Sequence, residues 1–161
     1  MKYLLFSIIA FLCVATVTPT FAIEAPRIVP RMVQVPKPID EVYGRLKKYF
    51  SDPMASHFQL VSADPRTHTL VAKQSGFDGA SWDNLAFCKA GPVQMIYKLA
   101  DGTVTVTVKL EKTTRKSTFA SVSADFQGVY RLGANENKVE CSSKFALEDS
   151  ILAAAGASGA N

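Results

Sequence analysis

From about residue 31 onward the apolar positions repeat with a period of either 3.6 or two, and each switch of period marks a change of element. Over residues 38–50 Ile39, Val42, Tyr43, Leu46, Tyr49 and Phe50 are spaced by threes and fours, which puts them on one stripe of an amphipathic helix. Pro38 suits the first turn, Asp40 and Glu41 lie near the positive end of the helix dipole, and Lys47 and Lys48 lie near its negative end. Ser51-Asp52-Pro53 stops the helix, and Gly44 within it predicts a close backbone contact. A second, shorter helix is expected near the C-terminus, with Leu147, Ile151, Leu152 and Ala155 as its apolar side and Gly156 as its stop.

Between these helices the period is two. Residues 58–61 and 69–72 flank Asp64-Pro65-Arg66-Thr67, a type I turn signal, and read as a hairpin. Residues 93–99 and 103–110 flank Asp101-Gly102, a favoured hairpin turn pair. In the second of these strands Val104, Val106, Val108 and Leu110 face one way, and Thr103, Thr105, Thr107 and Lys109 face the other. A polar turn at residues 113–116 leads to a long strand with Ala120, Val122, Ala124, Phe126, Tyr130 and Leu132 on one face. Gly128 in that strand is expected to mark a bulge or bend. Residues 133–137 form the next turn, and residues 138–142 return as a strand with Cys141 facing inward. Before the first helix, residues 31–35 form a short strand inside a lead-in containing Pro26, Pro30, Pro36 and Pro38. Residues 75–91 are the least regular stretch, expected to be a long loop with room for one short strand. The predicted fold is α+β: an antiparallel sheet of about five to seven strands, one amphipathic helix after the first strand, and a short C-terminal helix.

The N-terminus changes the setting. Lys2 precedes an uncharged apolar run over residues 4–15, then Pro19 and the small residues Thr20 and Ala22, the pattern of a secretory signal peptide. The apolar run is shorter than the roughly 20 residues needed to span a bilayer. The expected organisation is a signal peptide over 1–22, an extended lead-in over 23–37, one domain over 38–156 and a frayed tail over 157–161. Cys13 sits inside the apolar run behind Phe11-Leu12 and lacks the small preceding residue of a lipid anchor, so lipoprotein anchoring is not expected. The expectation is export to the periplasm or beyond, with no transmembrane segment in the mature chain.

That compartment frames the two remaining cysteines, Cys88 and Cys141. An even count where thiols oxidise favours a disulfide, with two buried free thiols as the alternative. The net charge of +4 helps solubility and favours anionic partners. It is not the dense basic stripe of a nucleic-acid binder, so no nucleic acid is expected as a partner.

Candidate chemistry is sparse. His57 and His68 flank the first hairpin and can be imagined meeting across its strands, but no further ligand motif completes a metal site. There is no nucleophile motif and no phosphate loop. Glu148 and Asp149 read as the acidic first turn of the last helix rather than as a catalytic pair. Neither a cofactor nor an enzyme activity is expected. Two surface features stand out. Lys109, Lys112, Arg115 and Lys116 cluster at one end of the meander, as a contact for anionic lipid or envelope polymer or, preferably, as a charged rim that keeps sheet edges apart. Phe77, Trp82 and Phe87 lie in the irregular stretch, where they read equally as a partner or ligand loop and as a cap on the core.

The segments Asp83-Asn84-Leu85-Ala86-Phe87-Cys88-Lys89-Ala90-Gly91, the Thr-rich strand from Thr103, and Glu140-Cys141-Ser142-Ser143 followed by Leu147-Glu148-Asp149-Ser150-Ile151-Leu152 resemble a pattern in uncharacterised bacterial envelope proteins. Those proteins pair a mid-chain loop cysteine with one just before the terminal helix. The likeness spans roughly residues 36–155 and implies an envelope location and a Cys88–Cys141 bridge. Lys89-Ala90 separate Cys88 from Gly91, where that pattern has a tight Cys-Gly step. The order of strands and helices is also similar to that of helix-grip domains, although the closing helix is shorter than theirs. The functional expectation is an exported envelope module that binds another protein, with a small carrier for an apolar ligand or lipid as the alternative. Protein recovered from the cell envelope is expected to begin at Ile23, read by N-terminal sequencing, and an intact Met1 would remove the assigned compartment.

Overall fold

The computed structural model describes residues 28–77, 79–88 and 98–157. The expected signal peptide, residues 23–27 of the Pro-rich lead-in, residues 93–97 of the expected strand over 93–99 and the end of the tail lie outside them. Among the described residues, seven strands and four helices follow in chain order: β1 (Arg31–Val35), α1 (Ile39–Ser51), α2 (Pro53–Ser56), β2 (Gln59–Asp64), β3 (Thr69–Ser75), α3 (Gly79–Leu85), β4 (Ala86–Cys88), β5 (Lys98–Lys112), β6 (Thr118–Leu132), β7 (Asn135–Ser143) and α4 (Ala146–Ala155). The strands form one antiparallel sheet in the order β2-β3-β5-β6-β7-β4. β1 also pairs with β6, over Thr118 to Val122, while β7 takes the stretch from Phe126 to Leu132. The long strand β6 is therefore shared, with two shorter strands laid along it one after the other.

The period-two residues decide which face is buried. Leu70 and Ala72 of β3, Val104, Val106, Val108 and Leu110 of β5, and Ala120, Val122, Ala124 and Phe126 of β6 all point to the side that carries the helices. The stripe of α1 closes over them through Val42, Leu46 and Phe50, and that of α4 through Ile151, Leu152 and Ala155. Both helices form where the spacing of apolar residues predicts them. α4 ends as expected at Gly156, whose φ of +95° lets the chain turn back so that its N–H reaches the Ala153 carbonyl. The first hairpin also forms as expected. Its turn is pinned by Asp64, which accepts the Arg66 N–H at 2.8 Å and the Thr67 hydroxyl at 2.9 Å, so its carboxyl is held below the ordinary range.

Four expectations fail, each for a local reason. Asp101-Gly102 is not a turn but lies inside the 15-residue β5, with Gly102 directly opposite Gly128 of β6. A Cβ at Gly102 would lie 2.5 Å from the Trp82 ring, so glycine is there for room rather than for a turn. Asp101 Oδ1 accepts the Gly76 N–H at 3.2 Å and so ties a neighbouring loop to the strand. The irregularity expected at Gly128 lies instead in the partner strand, between Leu99 and Asp101. The turn after β6 shrinks to Gly133-Ala134, so β7 begins at Asn135, three residues early. Gly44 makes no close contact, because its side of α1 faces open space.

The packing at Gly102 gives a direct test. Gly102→Ala would force a methyl group against a buried indole that has no room to retreat. It is expected to cost about 1–3 kcal/mol, read as a lower urea midpoint. An unchanged midpoint would mean that Trp82 does not rest on that glycine.

Candidate functional site

The chemistry-bearing residues gather at one corner, where α3, β4, β7 and the start of α4 meet. Cys88 and Cys141 stand directly opposite each other across the β4–β7 pair and are joined by a disulfide with a sequence separation of 53. A closed loop of that length stabilises the fold by roughly 4 kcal/mol in the chain-entropy model. β4 has only three residues, so this bridge and the β7 ladder do most to hold it in place.

Trp82 lies beneath the bridge, 1% exposed. Its ring rests over Gly102 and Gly128 and meets the rings of Phe126 at 5.4 Å and Phe77 at 5.6 Å. Its indole N–H donates to Cys88 Sγ at 3.1 Å. Of the three aromatic candidates, then, Trp82 belongs to the core and Phe77 packs half-buried against it. Phe87, 56% exposed, points to the opposite face of the sheet. They do not form one binding loop. Within the stretch expected to be irregular, the short strand is β4, and the helix α3 is the element the pattern did not suggest.

One rung from the bridge on the same face, Ser143 pairs with Ala86 and turns its hydroxyl to Glu148. The Ser143 Oγ donates to Glu148 Oε2 at 2.8 Å and accepts the Phe145 N–H at 2.8 Å. Phe145 takes a left-handed φ of +66° just before α4, a costly conformation for a residue with a side chain. The turn it makes points Glu148 into the core, where no solvent reaches the side chain and Oε1 has no hydrogen-bond partner among the described residues. Burial pushes the Glu148 carboxyl above its ordinary range, against the opposing effect of the Ser143 hydrogen bond. Its neighbour Asp149 is partly exposed and pairs with Arg31 of β1 at 2.8 Å. The sequence reading gave both acids the same role, but only Asp149 faces solvent. The signal was present, since Glu148 precedes Ile151 by three and Leu152 by four and so lies on the apolar stripe.

The other candidates are separate from this corner. His57 and His68 do not meet. Each has a positive φ, but His57 precedes β2 and His68 follows it, so roughly 17 Å of strand separates them. His68 lies 3.5 Å from Asp40 and edge-on to the Tyr43 ring, while His57 lines an open groove. That groove, of about 730 Å³, lies between the end of α1 and the open end of the β2–β3 hairpin, with Phe58, Gln59, Lys73 and Gln74 also along it. Among the described residues no group of three His, Cys, Asp or Glu is placed to hold a metal. Lys109, Lys112, Arg115 and Lys116 are all exposed at the β5–β6 turn, gathered at one end of the sheet as expected. Among the described residues no helix is long and apolar enough to cross a membrane.

The sheet face away from the helices carries Thr69, Val71, Lys73 and Ser75, then Thr103, Thr105, Thr107 and Lys109, then Ser121, Ser123, Asp125 and Gln127, aligned by strand register. Met32 and Phe87 flank this face at exposures of 54% and 56%. No helix among the described residues packs on it.

No family model matches the sequence, and no curated protein matches it. Among solved structures, the chain is similar to the crystal structure of a DUF4468 family protein from Bacteroides ovatus ATCC 8483. The match has 10% identity and a TM-score of 0.37, over 69% of this chain and 59% of that one. The chain thus spans less than two thirds of that protein's length, and a likeness this slight carries no activity from one to the other.

The buried acid gives a pH test. A carboxyl whose folded-state pKa is raised contributes stability that is fully present below its unfolded value, near 4.5, and is lost as pH rises through the folded value. Wild type is therefore expected to lose ground to Glu148→Gln between pH 4 and pH 8, read as the difference in urea midpoints. Taking the difference cancels the carboxylates common to both proteins. A gap that stays constant with pH would show that Glu148 titrates as an ordinary surface acid.

Proposed function

We propose that this chain is an exported, non-enzymatic module of the bacterial envelope that binds another protein through the helix-free face of its sheet. The observation that carries the reading is the one-sidedness of the domain. All the packed helices lie on one face, and the other presents aligned hydroxyl side chains flanked by the exposed Met32 and Phe87. A flat polar face edged by apolar anchors can exclude water around a few side chains while hydrogen bonds fix register. The disulfide fits an oxidising compartment, as the N-terminal signal pattern requires.

The alternative, a carrier for an apolar ligand or lipid in a helix–sheet cavity as in helix-grip domains, asks for space beneath α1. Val42, Leu46 and Phe50 occupy that interface, and the open groove lies at the end of the helix with a half-polar lining. The protein-binding reading is therefore preferred. The basic rim at Lys109, Lys112, Arg115 and Lys116 borders the same face and would favour an acidic partner or the anionic envelope surface.

Native mass spectrometry of the chain recovered from the envelope fraction is expected to show a stoichiometric protein partner. That partner should be lost when Thr105 and Phe87 are both replaced by Arg, with circular dichroism unchanged. A co-purifying lipid mass in place of a protein would transfer the proposal to the carrier reading.

A further inference from the structure

The two sulfurs of the bridge have different surroundings. Cys88 Sγ receives the indole N–H of Trp82, within a fully packed corner. Cys141 instead lines a hollow of about 200 Å³, together with Ile28, Val29, Ala124, Ser143 and Phe145. Ile28 and Val29 are more than half exposed, so the hollow opens to solvent. Its position relative to the bridge is informative. β7 has β4 on one side and β6 on the other; Cys88 comes from β4, and Ala124 of the hollow comes from β6. The hollow therefore opens on the β6 side of Cys141, away from Cys88, one rung along from Phe126, which stands directly opposite Cys141.

Thiol–disulfide exchange proceeds by attack of a thiolate on one sulfur, and it runs fastest when the departing thiolate is the better stabilised one. A hydrogen bond donated to the departing sulfur favours its charged form. Access and leaving-group stabilisation are independent features, and here both select the same direction.

We propose that Cys141 is a site of S-thiolation, attacked through this hollow by a small-molecule thiol of about the size of free cysteine, with Cys88 departing as a thiolate held by the Trp82 N–H. The small thiol's sulfur bonds to Cys141 Sγ as the Cys88–Cys141 bond breaks, and the electron pair of that bond passes to Cys88 Sγ. The Cys88 thiolate can then attack Cys141 again and expel the small thiol. Alternatively, a second small thiolate attacks the outer sulfur of the adduct. That leaves Cys141 reduced and oxidises two small thiols to their disulfide. While the adduct lasts, β4 and α3 lose their covalent tie to β7, and Trp82 faces a charged sulfur instead of a bridge.

The test uses the mature oxidised chain, treated briefly with free cysteine, quenched with N-ethylmaleimide and mapped by peptide mass spectrometry. The expected product carries cysteine on Cys141 and the maleimide on Cys88, in at least about tenfold excess over the reverse arrangement. Val29→Trp, a change at an exposed position that fills the hollow, is expected to slow the reaction by about tenfold. Trp82→Phe keeps the ring but removes the donor. It is expected to slow the reaction about three- to tenfold, because the departing thiolate loses the hydrogen bond donated to it. Trp82 is the only tryptophan in the sequence, so its fluorescence follows the reaction in real time in the wild type. A bridge inert to cysteine, or an adduct found equally or mainly on Cys88, would overturn the assignment. The Val29→Trp result is readable even if Trp82→Phe fails to fold.

Discussion

One indole needs room inside a sheet, and two glycines facing each other across β5 and β6 provide it. Any side chain at Gly102 would occupy the volume of the Trp82 ring, and one at Gly128 would press on Tyr130. With the ring seated there, α3 is held against β5, its N–H reaches Cys88, and Cys88 is in register with Cys141. The disulfide, the short strand β4 and the buried end of α4 all depend on that seat. Hydrophobic burial of a large aromatic stabilises the fold by about 1.5–3 kcal/mol, and the ring contacts with Phe77 and Phe126 add to it. The covalent link then fixes the position that packing has selected.

The regular parts of this arrangement were legible in the sequence because one physical rule sets both pattern and structure. Apolar residues at a helical or an alternating spacing can be buried only in a helix or a strand, and α1, β3, β5, β6 and α4 follow that rule closely. What was not legible depended on contacts between distant parts of the chain. Asp101-Gly102 has the composition of a turn, and only the arrival of Trp82, some twenty positions earlier, explains why the glycine sits inside a strand. The same contact set a helix within the supposed loop, ahead of its short strand. It also split Phe77, Trp82 and Phe87, which are close in sequence, among a half-buried, a buried and an exposed position. Glu148 was misplaced for the opposite reason. Its position on the apolar stripe called for burial, but its charge suggested solvent, and the hydroxyl of Ser143 tipped the balance toward the interior.

The division of labour between the two sheet faces follows from the same geometry. The helix side is committed to packing, and its polar groups are few, with the Thr118 hydroxyl donated to the Lys37 carbonyl at 2.8 Å. The other side keeps its hydroxyls, amides and charges available. Because adjacent strands are in register, side chains from three strands line up as rows rather than as scattered points. A surface built that way offers a partner regular spacing in two directions, which loops do not.

The sharing of β6 also has a consequence for how the domain comes together. β1 pairs only with the beginning of β6, with Arg31 opposite Val122, a separation of about ninety positions. A strand in that position has no partner until the start of β6 has been made, so a newly made chain holds β1 unpaired while residues 36–117 are added. The pairing of β1 is thereby the long loop closure of the fold, slower to form than its local hairpins.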